Sequence, residues 1–306
     1  MKLLPTLKQL EYLVALAEAQ HFGRAAERCS VTPSTLSAGI QDLERVLGVS
    51  LAERSRRQVL ITPIGNEIAA RARQLLRDAE DIMALASSNH APLTGDLRLG
   101  VIPTVGPFLV SRVLPGLRSR YPDLLLFLEE DLTRAMLDQL GDGHLDAMLM
   151  ALPFDIGDAE HHVLFEDEFL FACNGSHPLA ERDRISMDDL VDESLLLLEE
   201  GHCLRTQALA ACKLQAARAR SRFEASSFHT LVQMVGSGIG VTLLPKLAID
   251  AGIAAGMDIR LIPLEEPSSR KIALVWRKSS PRGDEFRMLG DAIRELAPGL
   301  APQRDT

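Results

Sequence analysis

The stretch VTPSTLSAGIQDLERVLG, Val31 to Gly48, decides how the N-terminal part of this 306-residue chain is read. Thr32 suits an N-cap, because its hydroxyl can accept from a backbone N–H of the first helical turn, and Pro33 suits the first helical position. Gly48 tolerates the left-handed conformation that ends a helix. Between these signals Leu36, Ile40, Leu43 and Leu47 recur at helical spacing and make one apolar face. The opposite face, with Ser34, Ser37, Ala38 and Gln41, is small and polar.

Upstream, Leu7, Leu10, Val14 and Ala17 predict a helix from Thr6 to Ala19, and GRAAERCS predicts a second with Ala25, Ala26 and Cys29 turned inward. Three short helices whose last begins with small hydroxylated residues make a helix-turn-helix, and that end enters the major groove of double-stranded DNA. Small side chains permit close approach, and Ser, Thr and Gln bond phosphates or base edges. A small helical bundle with a basic hairpin fits the same periodicity. Downstream, SLAERSRRQVLITPIG predicts a β-ribbon wing that turns Arg54, Arg56 and Arg57 toward phosphate or the minor groove.

From Ile64 onward, Ile68, Ala72, Leu75, Ala79, Ile82 and Ala86 form an a/d seam on one long helix. A partner helix would bury it and make a dimer, which suits a reader of two half-sites. A helix packed on its own domain is the alternative.

Net charge is −9, but residues 1–77 hold 11 Lys and Arg against 7 Asp and Glu, so an acidic total conceals a basic module. The start, MKLLPTLKQLEYLVALAE, is interrupted by Pro5, Lys8, Gln9 and Glu11 and has no signal-peptide core. No apolar run reaches the roughly 18 residues of a membrane span. The expected location is therefore cytoplasmic, with no membrane partner, and there four cysteines are not a disulfide framework.

The run LKQLEYLVALAEAQHFGRAAERCSVTPSTLSAGIQDLERVLGVSLAERSRRQVLITPIG closely resembles the DNA-binding head of LysR-type transcriptional regulators. The resemblance, collinear from Leu7 to Gly65, implies DNA contacts at Thr32, Pro33, Ser34, Ser37 and Arg57. Two departures concern base reading. Thr32-Pro33-Ser34 stands where the family often has Ser-Gln-Pro, and Gly39 replaces a frequent Gln.

After the polar linker SSNHAPLTG, strand-like runs (LRLGVIP, LLLFLEE, LDAMLMAL) alternate with helix-like ones (FLVSRVLPGLRSRYP, RAMLDQLGDG). This alternation predicts parallel α/β structure. A second set, from HVLFEDEFLFACN through SFHTLVQMVGSGIGVTLLPKLAI, predicts a second lobe, and two lobes joined by crossovers would enclose a ligand cleft. The expected fold is α/β: a winged helix-turn-helix over residues 1–65, a linker helix and hinge over 66–94, and a two-lobed regulatory domain over 95–306. That last part resembles the effector domain of the same family, itself similar to periplasmic solute-binding proteins.

Motifs for nucleotides, zinc hydrolysis or an activated serine are missing (GxGxxG after a strand, GxxxxGK[ST], HExxH, GxSxG), so neither an enzyme nor a cofactor is expected. GSGIG reads as a tight turn. Glu160-His161-His162 reads as a surface loop rather than a metal site, since adjacent strand histidines face opposite ways.

EEGHCLRTQALAACKLQ carries Cys203 and Cys212, nine positions apart. In a helix they would stand about 13.5 Å apart along the axis and on opposite faces, whereas a disulfide needs Cα atoms within about 7 Å. A bond would require unwinding. Cys203 falls at the expected helix start beside His202 and Arg205, which favours a thiolate, while Glu199 and Glu200 oppose it. Two inert helical cysteines fit these residues equally well. Cys29 and Cys173 read as structural.

LEEGHCLRTQALAAC and GVIPTVGPFL are similar to the peroxide-sensing members of the LysR-type family. That resemblance implies a peroxidatic Cys203, a resolving Cys212 and a hydrogen peroxide pocket of Thr104, Thr133, His202 and Arg270, the arginine holding the thiolate charged. It also implies an activator of oxidative-stress genes, a dimer through the linker helix assembling to a tetramer, and RNA polymerase as partner. A regulator answering to a small metabolite in the cleft is the competing expectation.

Overall fold

A computed structural model describes residues 4–54, 59–86, 92–186, 188–190, 193–211 and 224–297. The chain forms two compact units, residues 1–90 with 141–144, and residues 91–140 with 145–306.

In the first unit, α1 (Leu7–Ala19) opens on a capping box in which Thr6 accepts from the Gln9 N–H and the Gln9 side chain returns to the Thr6 N–H. The imidazole of His21 caps α2 (Phe22–Arg28). Thr32 accepts from the Thr35 N–H at the start of α3 (Pro33–Leu47), and Gly48, at φ 71°, ends that helix. Strands β1 (Ala52–Arg54) and β2 (Val59–Ile61) pair antiparallel as the wing. Leu13, Leu16, Ala25, Ala26, Leu36, Ile40 and Leu43 form the buried centre. A Cβ at position 39 would lie 2.5 Å from the Tyr12 ring, so Gly39 is what lets α3 close onto α1.

Helix α4 (Pro63–Ala86) follows the wing. Ala69 and Ala72 are buried within the unit, but Leu75 is 52% and Ile82 66% exposed, so these two seam positions lie open in a single chain. Gly65 lies against the Leu51 carbonyl, where no Cβ fits. Gly65→Ala should therefore cost about 1–3 kcal/mol by overpacking, read as a lower denaturation midpoint of the full chain.

The second unit begins with β3 (Gly95–Val101), α5 (Gly106–Arg120), β4 (Leu124–Glu130), α6 (Thr133–Gly141), β5 (Ala147–Leu152) and β6 (Glu160–Asn174). It continues with β7 (Leu197–Leu198), α7 (Cys203–Ala211), β8 (Glu224–Ala225), α8 (Phe228–Gly236), β9 (Thr242–Pro245), α9 (Lys246–Asp250), β10 (Ile259–Pro263), β11 (Ser269–Trp276) and α10 (Gly283–Leu296). One sheet runs β10-β6-β11-β5-β3-β4, with β9 also on β6.

The three strands of the alternating set are parallel as expected, and the sheet they belong to is mixed. β3 is parallel to β4 and β5, but β11 is antiparallel to both β5 and β6. The physical reason is the crossover itself: β6 pairs with β11 along Glu160–Glu168, then with β9 and β10 toward Asn174, so one strand serves both lobes. The same strand corrects the expected loop at Glu160-His161-His162. His161 and His162 pair with Val275 and Leu274, and the His162 Nε2 lies 2.9 Å from Asp291 Oδ1 on α10. GSGIG is a turn, with Ser237 ending α8 and Gly238 at φ 73°.

Candidate functional site

Four helices of the second unit begin around one cavity of about 400 Å³. Pro103 and Pro107 bring in the start of α5, Leu132 that of α6, His202 that of α7, and Ser227 that of α8. Helix N-termini present unpaired N–H groups and the positive ends of their dipoles, so their convergence favours negative charge.

Behind this cavity lie the buried residues. Pro103, Leu132 and His202 line it, and each is followed at once by a side chain no more than 3% exposed: Thr104, Thr133 and Cys203. Thr133 and Cys203 are the first residues of α6 and α7. Cys203 is a free thiol. Burial pushes the His202 imidazole below its ordinary pKa, against a hydrogen bond to the Ser226 backbone and the Glu199 carboxylate, so it is neutral at pH 7.

Arg270 is 1% exposed, and its bonds go to two partners. Nε donates to Asp167 Oδ2 at 2.9 Å, Nη1 to Thr104 Oγ1 at 2.9 Å, and Nη2 to the Thr104 carbonyl at 3.0 Å. Asp167 faces Arg270 across the β6–β11 ladder, and its other oxygen accepts from the Leu247 N–H at 2.8 Å. One guanidinium thus ties together β6, β11, the segment after β3 and the start of α9. Its described hydrogen bonds go to Asp167 and Thr104. Arg205, also expected beside the thiol, donates to the Leu198 carbonyl at 2.9 Å and pairs with Glu224 at 2.8 Å.

Two residues escaped the sequence reading. Asp167 has no local signal, since its partner is 103 positions away. Gln207 stands one helical turn after Cys203, on the same face of α7. Its Nε2 donates to the Ala151 carbonyl at 3.1 Å, and its Oε1 is buried with no partner among the described residues. The spacing from Cys203 was the available clue.

Cys212 lies outside the described residues, but α7 fills the interval from Cys203 to Ala211. Burial raises the pKa of Cys29 and of Cys173, which disfavours their thiolate forms. Among the described residues no cluster of His, Cys, Asp and Glu is arranged to hold a metal, and no helix is long and apolar enough to cross a membrane.

On the first unit, Thr32, Pro33 and Ser34 are exposed at the start of α3, and Ser37 is half-buried. The Thr32 hydroxyl is engaged in the cap, 2.8 Å from both Ser34 Oγ and Thr35 Oγ1, so it orders the end of α3. Arg57 lies outside the described residues.

Comparison with known proteins agrees with this two-part architecture. Residues 7–66 match the bacterial regulatory helix-turn-helix protein family of lysR type, and residues 90–298 match the LysR substrate binding domain. The HTH-type transcriptional regulator EstR of Acinetobacter baylyi is 42% identical over 98% of this chain and 100% of its own length. A hydrogen peroxide-inducible genes activator of Dickeya chrysanthemi is 41% identical over 94% of this chain and 95% of its own. A full-length OxyR variant from Pseudomonas aeruginosa superposes with a TM-score of 0.81 at 39% identity, covering 94% of each chain. With both of its units matched, this chain belongs to the LysR family of transcription regulators.

Proposed function

We propose that this LysR-family regulator is a cytosolic sensor of hydrogen peroxide that reads the oxidant at Cys203 and turns on oxidative-stress genes. The observation that carries this reading is a free, buried thiol at the first position of α7, beside a cavity on which four helix N-termini converge. Converging helix N-termini favour the negative charge that builds up as the peroxide bond breaks. The identity to a hydrogen peroxide-inducible genes activator supports it.

The thiolate of Cys203 attacks one peroxide oxygen. The S–O bond forms, the O–O bond breaks, and the departing hydroxide takes up a proton to become water. Thr104 accepts a hydrogen bond from Arg270, which leaves its own O–H free to donate to peroxide. Thr133 and neutral His202 supply further polar contacts. The sulfenic acid then condenses with Cys212, releasing water, and the disulfide unwinds α7 because its helical form keeps the two residues too far apart. Cellular thiols reverse the bond.

The start of α3 is the DNA-reading end, with Pro33, Ser34 and Ser37 toward the groove and Arg57 on the wing toward the backbone. Exposed Leu75 and Ile82 on α4 fit a helix–helix dimer, and exposed Leu125 and Phe127 on β4 fit a second contact, as a tetramer needs. RNA polymerase is the partner through which such a regulator acts.

Thiol-trapping mass spectrometry after brief peroxide exposure tests the mechanism. The expected product is a Cys203–Cys212 disulfide, and its absence overturns the switch. Two observations favour a second reading, a regulator answering to a small metabolite: a cavity of about 400 Å³ is far larger than peroxide needs, and EstR is as similar as the peroxide-named relative.

A further inference from the structure

The cavity lined by His202, the residue before Cys203, carries side chains opposite in sign to the helix ends that converge on it. Glu130, Asp131, Glu199 and Glu200 line it, and among the described residues no Lys or Arg does. Among the described residues none of the four pairs with a cation; Asp131 instead accepts from the Leu132 N–H at 2.7 Å. His202, the titratable group nearest the sulfur in sequence, is neutral at pH 7 and does not offset them, which leaves His229 as the other titratable group on the wall. Four helix N-termini by themselves would draw in any anion.

From this arrangement, and resting on the peroxide reading above, we propose that the four carboxylates are an electrostatic filter. They admit uncharged hydrogen peroxide to Cys203 and turn away anionic oxidants that the helix ends would otherwise concentrate. Three independent features point the same way: the buried thiol, the cavity whose lining residues immediately precede Thr104, Thr133 and Cys203, and the unpaired acidic rim. The dipoles act at short range on the sulfur, whereas the carboxylates act on whatever enters from solvent.

The discriminating probe is peroxymonosulfate, an anion with the same O–O chemistry. Attack by the thiolate transfers one oxygen to sulfur, giving sulfenic acid, and expels sulfate where hydrogen peroxide expels hydroxide. Initial rates of Cys203 oxidation are measured by mass spectrometry on the full reduced chain with each oxidant. Each is divided by the rate for free cysteine, at low and at high salt. The comparison variant is Glu130→Gln with Glu200→Gln, which spares Asp131, bonded to Leu132, and Glu199, which acts on His202.

In the native chain, added salt should raise the normalised peroxymonosulfate rate and leave the hydrogen peroxide rate unchanged. The double variant should raise the anion's rate about 5-fold at low ionic strength, with the gain disappearing near 1 M salt. An anion rate indifferent to both salt and substitution overturns the filter while leaving the peroxide chemistry standing. Failure of Cys203 to react with hydrogen peroxide overturns the chemistry itself, and the filter with it.

Discussion

Cys203→Ser should abolish the response to hydrogen peroxide, leaving reporter transcription at its uninduced level, while operator binding and thermal stability stay close to those of the native chain. A serine hydroxyl fills nearly the same space at the first position of α7, so the fold has little reason to change. What is lost is the nucleophile, because an alcohol without an adjacent base is not ionised near neutral pH. The measurements are peroxide-induced transcription, and DNA binding by footprint with and without oxidant. A variant that still responds to peroxide would remove Cys203 from the mechanism. A variant that still responds to a cleft ligand, with peroxide never active, would favour the metabolite reading.

Arg270→Ala should destabilise the second unit severely. Arg270 and Asp167 form an ion pair whose side chains are 0% and 1% exposed, and removing one member strands the other charge. Breaking such a pair costs about 3–5 kcal/mol, a fall in Tm on the order of 10 °C for a unit of this size. Arg270→Met combined with Asp167→Leu removes both charges and should recover most of that stability. It also deprives Thr104 of the donors that hold its hydroxyl and its carbonyl. The double variant is therefore expected to fold yet react slowly with peroxide, which separates positioning from mere stability. If it folds and reacts at the native rate, Arg270 does not act through Thr104.

What sequence revealed and what it hid follow from the range of the interactions involved. The ends of α3 were legible because Thr32, Pro33 and Gly48 act on their own helix within a turn. The inward face of the helix-turn-helix was legible for the same reason: of Leu36, Ile40, Leu43 and Leu47, read as one apolar stripe, the first three are fully buried and Leu47 is half-buried. The antiparallel direction of β11 was not, since strand direction is fixed by where a distant segment returns to the sheet, and periodicity carries no such information. His161 and His162 looked like a polar loop because their strand is half-solvated and their neighbours are acidic. In the site, the residues named by family resemblance fall into two groups: Thr104 and Arg270 bond each other, and Thr133 and Cys203 begin neighbouring helices at the cavity. The bond that organises the first pair, Arg270 to Asp167, spans 103 positions and leaves no trace in spacing.

The fifteen residues of β6, from Glu160 to Asn174, run through both lobes as a single strand, about 50 Å of extended chain. A beam laid across two plates stiffens them against opening like a book, because flexing would shear the ladders to β11 on one side and to β9 and β10 on the other. The regulatory unit is thus a chassis, and its moving part has to be something bolted on rather than the frame. α7 fits that description: it belongs to no strand of the main sheet, and it is held by burial of Leu204, Ala208 and Leu209 and by the polar bonds of Gln207 to Ala151 and of Arg205 to Leu198 and Glu224. Under the proposed switch, a signal arising in α7 would rebuild the surface beside it while the chassis keeps its shape, a change of local relief rather than of overall posture.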